Sequence, residues 1–346
     1  MSDTEAARCS AYWELQFTGD RRRARVPEGR EKALDLRPQS VMAAAECRLL
    51  SGPEASAVLE AADTLLFDCD GVIWRGEAAI PGAAQLINRL QERGKRVLYM
   101  TNNSTKTRAM YTDKLRGLGF RAETQDVFAT AFCSALYLQQ KPAQRGKVYV
   151  LGAEAVSEEL RSLGIACIGP GPDPLCGAMG DWAALPRDSD VGAVLVAFDP
   201  HFSYMKLVRA AAYLRDPGCR FLATNTDTRL PLEAGAAIPG TGCLVRAVEA
   251  AAQRTATVIG KPSAFMFRCA AERFGLDPAR TIMVGDRLDT DILLGTNCGL
   301  RTILTLTGVS TLQEAESHRD SGEADRRRLV PDYYVHSVAD LLPALD

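Results

Sequence analysis

Thr64-Leu-Leu-Phe-Asp-Cys-Asp-Gly71 is the stretch that decides the fold. A short apolar run stops abruptly at two carboxylates and a glycine, which is the pattern of a buried strand feeding a polar turn. Downstream, Leu86, Ile87 and Leu90 recur at helical spacing, and Lys95–Met100 reads as a second strand ending at Thr101-Asn-Asn-Ser104. Tyr111, Leu115 and Leu118 then fall at i, i+4 and i+7, with Gly119 as a helix stop. Strand, helix, strand, helix predicts a parallel sheet with crossover helices.

The same grammar returns near the other end. Thr257–Ile259 runs into Gly260-Lys-Pro-Ser263, followed by a helix carrying Phe265, Met266, Cys269 and Phe274. Thr281–Val284 runs into Gly285-Asp-Arg-Leu-Asp-Thr-Asp291, and Thr302–Leu306 is a further strand. The fold class is therefore α/β, a doubly wound, Rossmann-like parallel sheet. Its polar motifs sit at the carboxyl ends of strands, where such sheets place their ligands.

One crossover does not need the 159 residues of 102–260. A helix–strand–helix allowance leaves roughly 100 residues, the size of a small domain. That stretch carries its own strands (Val148–Leu151, Ala193–Phe198), its own helices (Ser157–Leu163, Lys206–Leu214) and a Pro/Gly-rich connector at Gly169–Pro174. We read 42–146 and 256–346 as the core and 147–255 as an inserted α/β cap. Residues 1–41 carry charge without periodicity and read as a flexible extension ahead of a second apparent beginning at Met42.

Length and composition bound the function. At 346 residues, two domains are expected. Forty-one basic against 43 acidic residues give a net charge of −2, and the basic runs Arg21–Arg25 and Arg326–Arg328 are short and lack interleaved aromatics. A nucleic-acid partner is not expected. The ten cysteines form no CxxC pair, and the three histidines (His201, His318, His336) are scattered, which argues against structural zinc and for reduced thiols in the cytosol. No apolar run approaches the ~20 residues a bilayer requires, so no membrane partner is expected and the localisation reading is cytoplasmic.

Asp68 and Asp70 stand at i and i+2, which in an extended segment share one side. Two carboxylates that close call for a cation or a proton. Asp286, Asp289 and Asp291 supply further acids at another strand end, and hard oxygen donors without histidine or cysteine select Mg²⁺. Thr101, Asn102, Asn103 and Ser104 offer a hydroxyl, amides and backbone N–H groups, and Lys261 a cation. Taken singly, Thr101 would be a helix cap and Lys261 a solvated loop lysine; their joint placement at strand ends points to phosphate.

Asp68-Cys-Asp-Gly71, Thr101-Asn-Asn-Ser104, Lys261 and Gly285–Asp291 together resemble the four motifs of the haloacid dehalogenase superfamily of phosphatases, over roughly residues 60–346. The insert resembles the α/β cap of the eukaryotic branch that contains pyridoxal phosphatase and phosphoglycolate phosphatase. Phe198–Met205, Pro239–Arg246 and Val330–Val335 are most similar to the phosphoglycolate and glycerol-3-phosphate type.

The resemblance implies Asp68 as nucleophile through an aspartyl-phosphate and Asp70 as acid and base. It implies Mg²⁺ on Asp68, the Asp70 carbonyl and Asp286, with Asp291 behind the metal. Thr101, Asn102, Asn103 and Lys261 would lie on the phosphoryl group. It further implies a small phosphorylated metabolite as substrate, 2-phosphoglycolate or glycerol-3-phosphate, and a homodimer paired through the cap. Leu230, in Arg229-Leu-Pro-Leu232, stands where the pyridoxal relative is expected to carry a histidine. That disfavours pyridoxal 5′-phosphate, which remains open as an alternative beside a phosphoprotein substrate and a metal-binding scaffold without turnover. Cys69, lodged between the two acids, reads either as packing or as a redox brake.

Overall fold

A computed structural model describes residues 45–182, 184–231 and 236–346. The extension read over 1–41, and Leu232, lie outside the described residues.

Two parallel sheets organise the chain. The larger has seven strands in the order Arg48–Leu49, Tyr333–Val335, Arg301–Thr305, Thr281–Gly285, Thr64–Phe67, Arg96–Thr101 and Val127–Ala129. All of its neighbours run parallel. Its central strands are mainly apolar because both faces are covered. Leu65, Phe67, Val97, Tyr99, Ile282 and Val284 pack on one face, with helices Gly52–Ala61 and Ala83–Glu92 and the closing turn Val338–Leu345. Leu66, Leu98, Met100 and Met283 pack on the other, with helices Thr130–Gln140 and Phe265–Phe274. Alternate residues going to opposite layers is the period of a strand, and two covered layers make the sheet doubly wound.

Register sets the site. Phe67 pairs with Val284 on one side and with Tyr99 on the other. Asp68, Met100–Thr101 and Gly285–Asp286 therefore emerge side by side at the carboxyl edge.

The second sheet holds Thr257–Val258, Arg220–Ala223, Val191–Val196, Lys147–Leu151 and Ala166–Ile168, again all parallel. The antiparallel hairpin Arg229–Pro231/Ala237–Pro239 accompanies it. Thr257–Val258, read within the core segment 256–346, pairs with Leu222–Ala223 in this sheet. The strand read from Ala193 starts at Val191, because Gly192 weakens the pattern. Gly192 is needed there, since a Cβ would stand 2.5 Å from the Arg145 carbonyl. Helix Thr130–Gln140 lies between the sheets, and its apolar layer continues into Val148, Val150, Val156 and Leu160 of the second unit.

The second unit contains a fully buried ion pair, Lys206 Nζ to Asp199 Oδ2 at 2.6 Å, with both side chains 0% exposed. Lys206→Met should leave Asp199 buried without its partner and cost about 3–5 kcal/mol of stability. Adding Asp199→Leu should recover part of it, read as the urea midpoint of each variant; a single variant as stable as the parent would contradict this.

Candidate active site

Lys261 reaches the carboxyl edge from the loop after Thr257–Val258, and its backbone is bracketed by one side chain. Its N–H donates to Asn102 Oδ1 at 2.8 Å, and its C=O accepts from Asn102 Nδ2 at 3.1 Å. Gly260 makes the approach possible: a Cβ there would lie 2.5 Å from Thr224 O and 2.6 Å from Asn102 Oδ1. The buried ammonium donates to Asp68 Oδ1 and to Met100 O (2.8 Å), and stands 2.8 Å from Asp291 Oδ1. Asp68 and Met100 O accept hydrogen bonds from the ammonium, and Asp291 Oδ1 adds an ion pair without one. Burial pulls the Lys261 pKa down, but the charges of Asp291 and Asp68 outweigh it and hold the group firmly protonated.

Around the lysine, Asp68, Asp286 and Asp291 each bring a carboxylate oxygen within 4.8 Å of the others, and all three are buried. Asp291 is held by its other oxygen, which accepts from the N–H groups of Asp286 and Arg287, both at 3.1 Å. Asp286 Oδ2 accepts from Val309 N–H at 2.7 Å. Burial, reinforced by the charge of Asp291, pushes the Asp286 pKa up to about 7, against the Val309 N–H. Burial also raises Asp68 well above the usual carboxylate range; Lys261 opposes this, while Asp291 and Asp286 add to it.

Three carboxylates against one ammonium leave two negative charges unbalanced in a buried site. Gly71 and Gly308 shape its wall, since a Cβ on either would stand 2.7 Å and 1.8 Å from Asp286 Oδ2. A divalent, oxygen-preferring cation fits this donor set and its charge.

Several sequence expectations change here. Asp70 is exposed and is not the acid that crowds Asp68; Asp286 and Asp291 are. The extended geometry that would have paired 68 with 70 ends at Cys69, whose carbonyl accepts from the N–H groups of Val72, Ile73 and Trp74 as the chain turns. Asp289 is exposed and pairs with Arg287 at 2.8 Å, outside the cluster.

Both polar atoms of the Asn102 side chain are committed, to Lys261 and, through Nδ2, to Asp227 Oδ2 at 3.0 Å. Asn103 Oδ1 accepts from Thr105 N–H and Oγ1–H at 3.0 and 2.7 Å, and buried Thr101 accepts from Asn103 N–H at 3.1 Å. These residues build the loop around Lys261. Cys69 is buried in the core layer, and burial together with Asp68 and Asp70 pushes its thiol up. A covered thiol with a raised pKa supports the packing reading of Cys69.

Sequence reading missed Trp74, whose Nε1–H donates to Asp70 Oδ1 at 2.8 Å. It also missed Asp227, which ties the second unit to Asn102 and stands 3.4 Å from Arg287. No spacing signal marks either one.

A haloacid dehalogenase-like hydrolase model matches residues 65–166, and a HAD-hydrolase-like model matches 258–341. The chain belongs to the haloacid dehalogenase-like hydrolases and is an enzyme of their phosphatase class. The human glycerol-3-phosphate phosphatase is 57% identical over 309 residues, covering 87% of this chain and 96% of the relative. Human chronophin is 48% identical over 307 residues, covering 87% and 99%. A solved structure of the glycerol phosphate phosphatase of Mycobacterium tuberculosis in complex with magnesium matches with a TM-score of 0.68 at 28% identity, over 82% of this chain and 78% of that one. Membership of an enzyme family at this identity overturns the scaffold reading. Among the described residues, no helix is long and apolar enough to cross a membrane.

Proposed function

We propose that this enzyme hydrolyses small phosphomonoesters through an aspartyl-phosphate on Asp68, with glycerol-3-phosphate foremost and 2-phosphoglycolate beside it. The observation that carries the reading is the buried Asp68–Lys261–Asp291–Asp286 cluster, with exposed Asp70 two residues beyond Asp68. Similarity to proteins named glycerol-3-phosphate phosphatase supports the substrate.

Asp68 Oδ attacks phosphorus while Asp70 gives a proton to the departing alkoxide; Asp70 then takes a proton from the water that reopens the acyl phosphate. Lys261 aims the nucleophile and keeps its charge during both steps. Asp68, the Asp70 carbonyl and Asp286 would hold Mg²⁺, with Asp291 behind them fixing Asp286 and Lys261. When bound, Mg²⁺ supplies charge compensation for the phosphoryl oxygens.

Inorganic phosphate release from glycerol-3-phosphate, 2-phosphoglycolate and pyridoxal 5′-phosphate tests this. We expect the first two to lead, because Leu230 cannot hydrogen-bond a pyridine hydroxyl. A lead for pyridoxal 5′-phosphate would overturn the substrate assignment. Pairing through the cap belongs to the same reading, supported by exposed Leu175, Met179 and Tyr204 (62%, 77% and 59%). A monomer in sedimentation would remove it.

A further inference from the structure

The acid of the proposed reaction is an exposed side chain, and exposed aspartates turn freely about two torsions. Asp70 is denied that freedom by one contact, the 2.8 Å hydrogen bond from Trp74 Nε1–H to its Oδ1. The donor is rigid where the acceptor is not. Trp74 is 1% exposed and stacks on Tyr111 with centroids 6.3 Å apart and planes 10° from parallel. Lys114 Nζ lies 4.7 Å from its ring centroid and is anchored on Gly76 O at 2.7 Å. The turn between the two residues is closed by Gly71 N–H to Trp74 O at 2.8 Å, and Thr307 Oγ1–H donates to Gly71 O at 2.6 Å. The hairpin Trp74–Arg75/Ala78–Ala79 braces the far side. Asp70 Oδ2 meets no hydrogen-bond donor among the described residues.

We propose that Trp74 is a positioning residue for phosphoryl transfer: its indole N–H pins Asp70 Oδ1, so that Oδ2 is the atom that carries the proton. This rests on the reading of Asp70 as the acid. In the forward step the Asp68 Oδ–P bond forms and the P–O bond to the leaving group breaks. The electron pair of the broken bond stays on the leaving oxygen, which takes the proton from Asp70 Oδ2. In the return step the attacking water gives a proton to the same oxygen, and the carboxyl is ready again. Removing the N–H releases the carboxyl to other rotamers, and misplacement of a reacting group by about 1 Å costs up to about 100-fold.

Leaving groups separate this role from packing. The alkoxide of glycerol-3-phosphate needs a proton as it departs, whereas 4-nitrophenolate leaves unaided at neutral pH. Because kcat/KM reports only on steps up to phosphoryl transfer, the later hydrolysis of the acyl phosphate does not blur the comparison. Trp74→Phe keeps an aromatic ring against Tyr111 and loses the N–H. We expect it to lower kcat/KM about 10-fold or more for glycerol-3-phosphate and no more than about threefold for 4-nitrophenyl phosphate. The aryl ester doubles as the check that the variant is folded.

Equal losses on both esters, or no loss on either, would overturn the positioning role. Asp70→Asn, run alongside, separates the two readings. If it shows the alkyl-over-aryl gap and Trp74→Phe does not, Trp74 is packing alone. If Asp70→Asn shows no gap, the acid assignment itself falls and the role of Trp74 falls with it.

Discussion

Asp68→Asn is expected to abolish turnover, by at least about 10⁴-fold in kcat, the scale seen when a nucleophile is removed from a preassembled site. The amide keeps the volume of the carboxylate but has no anionic oxygen to attack phosphorus. The fold should survive, for a reason specific to this cluster. Asp68 is a buried acid whose charged form is disfavoured by its surroundings. It also shares Lys261 with Asp291, and the lysine retains that partner and Met100 O after the change. Removing one carboxylate from a site that is over-supplied with them relieves repulsion instead of exposing a lone charge. The variant should therefore melt no lower than the parent in chelator. Asp68→Ala, which cannot revert to the acid by deamidation, should match it in activity. Acid-quenched parent enzyme should carry phosphate as an acyl phosphate, and neither variant should. More than a few per cent of parental activity in purified Asp68→Ala would end the covalent assignment.

The fold was legible where burial is complete. Leu65–Phe67 is apolar because both faces of the central sheet are covered, and the change to Asp68 marks the edge where that cover stops. Asp68, Lys261, Asp286 and Asp291 could be nominated because charged residues at strand ends of such a sheet have one common destination. What the sequence hides is direction. Lys261 reads as a phosphate donor, and in the fold its ammonium donates to Asp68 and Met100 O and stands beside Asp291. Asn102 reads the same way and instead brackets the Lys261 backbone. Asp227 joins this network from a loop 125 residues away from Asn102, a distance no pattern can bridge. The sheet that Thr257–Val258 joins is not legible, because two residues ahead of Gly260 look alike whichever sheet they pair with. Pairing, not composition, decides that.

Chelation with EDTA should remove activity, and Mg²⁺ should restore it, while Ca²⁺, with a larger and looser coordination shell, should restore much less. A second readout comes from the Asp286 carboxyl, whose pKa in the folded chain is pushed up to about 7 by burial and by Asp291. In the unfolded chain an aspartate titrates near ~3.9. Between those values the folded state binds a proton that the unfolded state does not, so stability is gained at low pH and lost as pH rises through about 7. The chelated protein should thus melt higher at pH 5.5 than at pH 8. Adding Mg²⁺ should reverse the order of the effects. At pH 8 the carboxylates are free to ionise on the cation, and Mg²⁺ at about 100 times its dissociation constant should add about 2.7 kcal/mol, several degrees in Tm. At pH 5.5 protons compete for the same oxygens and the gain should shrink. Gly308→Ala, which would press a methyl group against Asp286 Oδ2, should weaken the Mg²⁺-dependent rise at pH 8. Full activity in EDTA, or a melting temperature at pH 8 that ignores Mg²⁺, would mean that the surplus charge of Asp68, Asp286 and Asp291 is balanced by protons instead of a metal.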